Sequence, residues 1–175
     1  MRKILAVDVD LTVVDSVTPW LEWYKKLTGH DLGKITNDNS NVEELMHNHN
    51  DPLSFWKKGD LYDDLEPIEN TVEVLRKLSE HMDIIFVSAC FPEHENSKKM
   101  FLNRNFPFMK GFISTSDKQY VKCDYFIDDY YKYVKLIYDT GVKCYQIKTD
   151  INSEHSDIPY MDITEICEDI IKDIL

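Results

Sequence analysis

Short apolar runs alternate along this chain with segments whose apolar residues recur every three or four positions. Ile4-Leu5-Ala6-Val7 reads as a buried strand that starts almost at the first residue. Ile84-Ile85-Phe86-Val87 is the second clear strand, preceded by Asp83 and ending at Ser88. Phe112-Ile113 is a weak third, Tyr125-Phe126-Ile127 runs into Asp128-Asp129, and residues 142–147 read as the last strand. Helical spacing fills the gaps. Residues 71–80 place Val72, Leu75 and Leu78 on one face, and 95–103 follow Pro92. Residues 130–140 gather Tyr130, Val134, Ile137 and Tyr138 and stop at Gly141. The final helix takes Asp162 as N-cap with Glu165 three positions on, the spacing of a capping box, and lines up Ile163, Ile166, Ile170 and Ile174. This alternation predicts an α/β fold, a parallel sheet flanked by helices.

Residues 15–66 break the rhythm, because no strand is visible there. Thr18-Pro19 predicts a helix with proline at its first position, closed by Gly29. A polar stretch at 37–41 leads to a short helix around 42–47, and Asp51-Pro52 starts another that Gly59 ends. The segment reads as a small helical insertion. The expected division is therefore a core of residues 1–14 and 67–175 with a helical cap of 15–66.

Length and composition narrow the function. At 175 residues the chain fits one domain with room for a small insertion. A net charge of -12 repels polyanions, which disfavours nucleic acid as a partner. A small phosphate can still bind if a divalent cation supplies positive charge. The apolar run behind Met1-Arg2-Lys3 is too short for a signal-peptide core, and no stretch approaches a membrane span, so no membrane partner is expected. Cys90, Cys123, Cys144 and Cys167 are scattered without a C-x-x-C, as in a reducing, cytoplasmic setting. His47 and His49, two residues apart on a helix, would diverge, which argues against a zinc site.

Against that background the strand ends carry chemistry. Asp8-Val9-Asp10 places two carboxylates where the first strand gives way to a turn, and open α/β sheets bind ligands at the carboxyl ends of strands. Asp8 there can attack phosphorus, and Asp10 can manage the proton of the leaving group. Ser88 can hold phosphate oxygens with its hydroxyl and the backbone N–H groups that follow, and Lys118 can reach the same phosphate as a fixed cation. Asp128-Asp129 at the edge of a buried sheet repel each other, and Mg²⁺ would relieve the repulsion. Each feature alone has an ordinary explanation: a polar strand end, a turn serine, a surface lysine, the N-cap of the helix near Tyr130. All four in this order do not.

With these residues the chain resembles the haloacid-dehalogenase-type phosphatases, whose four short motifs match Asp8-x-Asp10-x-Thr12, Ser88, Lys118 and Asp128-Asp129. Within them it looks most like the 5′(3′)-deoxyribonucleotidases, through Leu65-Glu66-Pro67 leading into 71–75 and through Asp117-Lys118 upstream of Phe126-Ile127-Asp128-Asp129. The resemblance implies a Rossmann-like fold with the cap after the first strand, Asp8 as nucleophile and Asp10 as acid and base. It also implies Mg²⁺ held by Asp8, the Asp10 carbonyl and Asp129 with Asp128 close by, and phosphate held by Ser88, the Ala89 backbone and Lys118. Trp56 matches an aromatic position that lines the base pocket of those enzymes. Leu11 stands where that family usually has glycine, Ser16 where an aromatic contact is expected, and 34–41 lacks the aromatic pair of the animal enzymes.

The expected activity is thus hydrolysis of nucleoside 5′- or 3′-monophosphates, deoxyribonucleoside ones first, through an aspartyl-phosphate; a homodimer stays open. A phosphatase for another small ester or for a polynucleotide end is the enzymatic alternative. A phospho-acceptor regulatory domain is the non-enzymatic one, although Asp10 gives this chain a leaving-group acid that a switch does not need.

Overall fold

The computed structural model describes residues 2–32 and 54–175. Predicted elements in 33–53, including the short helix at 42–47, the Asp51-Pro52 start, His47 and His49, lie outside the described residues. The apolar runs form β1 (Ile4–Val7), β2 (Asp83–Ser88), β3 (Gly111–Ser114), β4 (Tyr125–Asp128) and β5 (Lys143–Ile147). The prediction of β5 as the last strand is corrected by β6 (Tyr160–Met161), which pairs with it in parallel. Two residues are too few to show a period.

Among the described residues five α-helices flank this sheet: α1 (Val17–Thr28), α2 (Thr71–Ser79), α3 (Glu95–Asn105), α4 (Tyr131–Tyr138) and α5 (Ile163–Ile174). The α1 start is two residues earlier than expected and Pro19 is its third residue, because the Asp15 carboxylate accepts from the N–H groups of Val17 and Thr18. Proline still falls in the first turn, where its missing N–H costs nothing. Gly29, at φ 74°, ends α1, and Gly141, at φ 91°, follows α4 as expected. The capping box of α5 is formed by Asp162 and Glu165.

All six strands are parallel, in the order β3-β2-β1-β4-β5-β6. The chain winds outward from β1 through β2 to β3, then crosses to β4 on the other side of β1. The crevice at the carboxyl ends of β1 and β4 is the topological switch point, the usual ligand site of such sheets. Leu5, Val7, Ile84, Phe86, Tyr125 and Ile127 face a core shared with α2, α3 and α5. Ala6, Val87, Phe126 and Cys144 face a smaller one with α4.

The segment after β1 leaves and returns at one point. Val14 and Pro67 form an antiparallel bridge, and Ile68 N–H donates to Val13 O at 2.9 Å. Between them, Trp20 of α1, Phe55 of a 3₁₀ turn (Ser54–Lys57), Leu61 and Tyr62 are buried in the same core as the sheet. The described part of the insertion is therefore packed onto the sheet's own core. Among the described residues no helix is long and apolar enough to cross a membrane.

Candidate active site

At the end of β1, Asp8 is buried, and its N–H donates to Ile127 O of β4 at 2.9 Å, which fixes it beside the end of that strand. Lys118, buried at the head of a second 3₁₀ turn (Lys118–Tyr120), reaches between the two strands. Its Nζ lies 2.6 Å from Asp8 Oδ1 and 2.7 Å from Asp128 Oδ2. Asp8, Asp128 and Asp129 each offer a carboxylate oxygen within 4.8 Å of the others. Burial and the neighbouring carboxylates of Asp128 and Asp10 push the Asp8 carboxyl above its ordinary range, against the pull of Lys118. The Asp128 carboxyl is raised by burial in the same way. Lys118, although burial opposes its charge, is held protonated by Asp8 and Asp128. One ammonium thus bonds two of three clustered, buried carboxylates, a set of oxygen ligands that suits a hard divalent cation.

Asp128 also accepts the N–H of Tyr130 on Oδ1 at 2.8 Å, so it serves the turn into α4 as well as the site. The N-cap of α4 is Tyr130, so the alternative that Asp128-Asp129 caps this helix is corrected.

Two residues on, Asp10 turns the other way. Its Oδ1 accepts from Tyr62 Oη at 2.6 Å and Ser16 Oγ at 2.7 Å. Its Oδ2 accepts from Lys98 Nζ at 2.6 Å and, more loosely, from Ser88 Oγ at 3.3 Å. Lys98 is 0% exposed, and its ammonium also donates to Ser88 Oγ at 2.8 Å and Ala89 O at 3.4 Å. Burial would raise the Asp10 carboxyl, but Lys98, with the Tyr62 and Ser16 hydroxyls, outweighs it and holds the group down at about 2.

The structure brings Asp8, Asp10, Ser88, Ala89, Lys118 and Asp128-Asp129 to one crevice. Trp56 is more distant. Its half-buried ring packs on Trp20 at 6.4 Å and edge-on to Phe55 at 5.3 Å between centroids. It connects to the crevice through its backbone, whose carbonyl accepts from His94 Nδ1, while the His94 ring meets Tyr62 edge-on at 5.4 Å. Leu11 has φ 58°, the left-handed conformation that glycine adopts without strain. That accounts for the glycine expected there. Ser16, in place of an aromatic contact, gives Asp10 a hydroxyl donor.

Sequence reasoning missed Lys98, Tyr62 and the Ser16 contact. Lys98 had a signal: Phe101 and Leu102, three and four residues on, are the buried apolar positions of α3, so the lysine heads its inward stripe.

A family model for the 5′ nucleotidase, deoxy (pyrimidine), cytosolic type C proteins matches residues 2–172. The chain belongs to this family. It is accordingly a phosphoric monoester hydrolase. A 5′(3′)-deoxyribonucleotidase of Bacillus subtilis is 26% identical over 143 residues, covering 74% of this chain and 77% of that protein. Among solved structures, a haloacid dehalogenase-like protein from Agrobacterium tumefaciens superposes with a TM-score of 0.67 at 11% identity, covering 99% of each chain. A magnesium-bound HAD hydrolase from Bacillus subtilis does so at 0.64 and 13% identity, covering 97% of this chain and 98% of that one. At such identities the structural likeness establishes the haloacid-dehalogenase fold of this family member.

Proposed function

We propose that this hydrolase releases phosphate from nucleoside monophosphates, deoxyribonucleoside ones first, in the cytoplasm, with Asp8 as nucleophile and Asp10 as acid and base. The observation that carries the reading is the pair of aspartates at the switch point, each with its own buried lysine.

An Asp8 oxygen attacks phosphorus while the ester P–O bond breaks, and the departing oxygen takes a proton from Asp10. Water then attacks the aspartyl-phosphate, gives a proton to Asp10, and releases inorganic phosphate with Asp8 restored. Lys98 favours the ionised form of Asp10. Phosphate charge beside Asp10 raises its affinity for a proton. Ser88, the Ala89 backbone and Lys118 hold the phosphoryl oxygens, and their positive charge counts most as charge develops in the transition state.

The donor set of Asp8, Asp128, Asp129 and the Asp10 carbonyl fits Mg²⁺. When bound, the ion would neutralise phosphoryl charge. The magnesium in the Bacillus HAD hydrolase supports this choice of metal. Residues 15–66 act as the cap, a reading supported by the closure at Val14 and Pro67. Trp56 belongs to the wall that meets the base.

A panel of nucleoside, deoxynucleoside and sugar monophosphates, with a 5′-phosphorylated oligomer, assayed for phosphate release with Mg²⁺, tests the proposal. Deoxynucleoside monophosphates should lead. Preference for a sugar phosphate or for the oligomer would overturn the substrate class. A single slow labelling event without turnover would overturn the enzyme reading.

A further inference from the structure

Asp129 follows the last residue of β4, so the sheet ladder no longer dictates where its backbone lies. Two amide side chains do so instead. Gln146 Nε2 donates to Asp129 O at 3.2 Å, and Asn152 Nδ2 donates to the same oxygen at 2.8 Å. Asn152 also donates to Ile147 O at 2.8 Å, and its Oδ1 accepts from Thr149 N–H at 3.0 Å and Tyr160 Oη at 3.1 Å. Its amide has partners on every side. The end of β4, the end of β5 and the start of β6 are thereby tied at one point behind Asp129.

Gln146 differs. It is 1% exposed and stands in register with Asp128 on the neighbouring strand, so both side chains leave the same face of the sheet. Its Oε1 is buried and has no donor among the described residues. A buried acceptor left unmet costs about 1–3 kcal/mol, and an apolar residue of similar shape would avoid that cost. A glutamine retained for packing alone has no reason to bear it. Next to three carboxylates, the missing donor has a natural source. A hydrated divalent cation keeps several of its waters, and each water has hydrogens to give.

We propose that Gln146 and Asn152 are positioning residues for the cation. They hold the Asp129 main chain so that its carboxylate stays within the Asp8–Asp128–Asp129 cluster, and Gln146 Oε1 accepts a hydrogen bond from a water of the hydrated ion. The proposal rests on the Mg²⁺ reading of that cluster. Outer partners of metal ligands act in this way, and their loss weakens metal affinity about 10–100-fold.

The test measures Mg²⁺ binding to the full chain by calorimetry, without substrate, and follows Mn²⁺ by paramagnetic resonance. Gln146→Met keeps the shape and removes both amide functions. It should weaken binding by about 10–100-fold and leave the metal-free melting temperature unchanged or higher. Asn152→Asp keeps the two acceptor contacts but cannot donate to Asp129 O. Added negative charge alone would tighten cation binding, whereas loss of the clamp weakens it. Wild-type protein that binds no Mg²⁺ would sink the metal reading underneath. Wild-type protein that binds while both variants bind within twofold of it would overturn the clamp and leave the metal reading standing. A large fall in metal-free melting temperature with unchanged Mg²⁺ affinity would also overturn it, by making the two amides purely structural.

Discussion

The site has two halves built from the same parts in different proportions. In each, a buried lysine sits 2.6 Å from an aspartate that follows β1. Around Asp8, one ammonium bonds two of three clustered carboxylates. Around Asp10, one ammonium and three hydroxyls serve a single carboxylate, and the half is satisfied. The difference teaches where a cation is needed and where it is not. On the proposed reading, the Asp8 half takes the metal, and Asp10, fixed by its donors, is the acid–base beside it.

The comparison can be broken most directly at the two aspartates. Asp8→Asn should bring phosphate release to background in a folded protein, and chelation of Mg²⁺ should do the same to the unaltered chain. Near-normal turnover in either experiment removes the distinction between the halves. Asp10→Asn should lower turnover by about 10²–10⁴-fold, the usual worth of general acid catalysis, and more for alkyl esters than for an activated aryl phosphate. Equal losses on both esters would count against the acid role.

Swapping the lysines sharpens the contrast. Removing one partner of a buried pair costs about 3–5 kcal/mol. Lys118→Met should fall in that range without metal and recover in part on adding Mg²⁺, because the ion relieves the stranded carboxylates. Lys98→Met should cost less, about 1–3 kcal/mol, since the Asp10 side chain is 29% exposed and keeps Tyr62 and Ser16. Mg²⁺ should not restore it. Thermal unfolding of both variants with and without Mg²⁺ decides, and equal rescue would mean that the halves share one electrostatic pool.

Trp56 hangs from the Asp10 half through His94 and Tyr62. Trp56→Ala should raise KM for nucleotides by the equivalent of about 1–3 kcal/mol, the worth of stacking on a base, while sparing small esters. A common loss on both substrate types would make Trp56 packing. The smallest effect is expected in the turn after Asp10. Leu11→Gly should be more stable than Leu11→Ala by about 1 kcal/mol, because only glycine relaxes the positive φ. Chemical denaturation of the pair measures it, and an alanine variant at least as stable would show that the turn carries no strain.

The Asp8 half was legible in the sequence because its parts stand at the ends of apolar strands, where a period-breaking carboxylate or serine is conspicuous. In the Asp10 half, Asp10 and Ser88 were read for the same reason, but Lys98 and Tyr62 were not. Lys98 lies in a polar stretch of α3, and its inward direction is set by the helix packing on the sheet. Tyr62 comes from a turn with no periodicity of its own. The strands were read closely for the same reason that the halves differ: burial writes long apolar runs, while a two-residue strand such as β6 leaves no pattern. Tyr138 was placed on one face with Val134 and Ile137, yet it is 42% exposed while those two are buried.

The order of the strands also bears on how the chain acquires activity. β1 lies between β2 and β4, and the hydrogen bond from Ile4 N–H to Asp124 spans 120 positions. Contacts so far apart in sequence close late in folding, after nearer ones have reduced the loop between them. Asp8 and Asp128 meet only when that closure occurs. A nascent or partly folded chain therefore holds no half-formed phosphatase, and recovery of turnover during refolding should track the last structural phase rather than an early one.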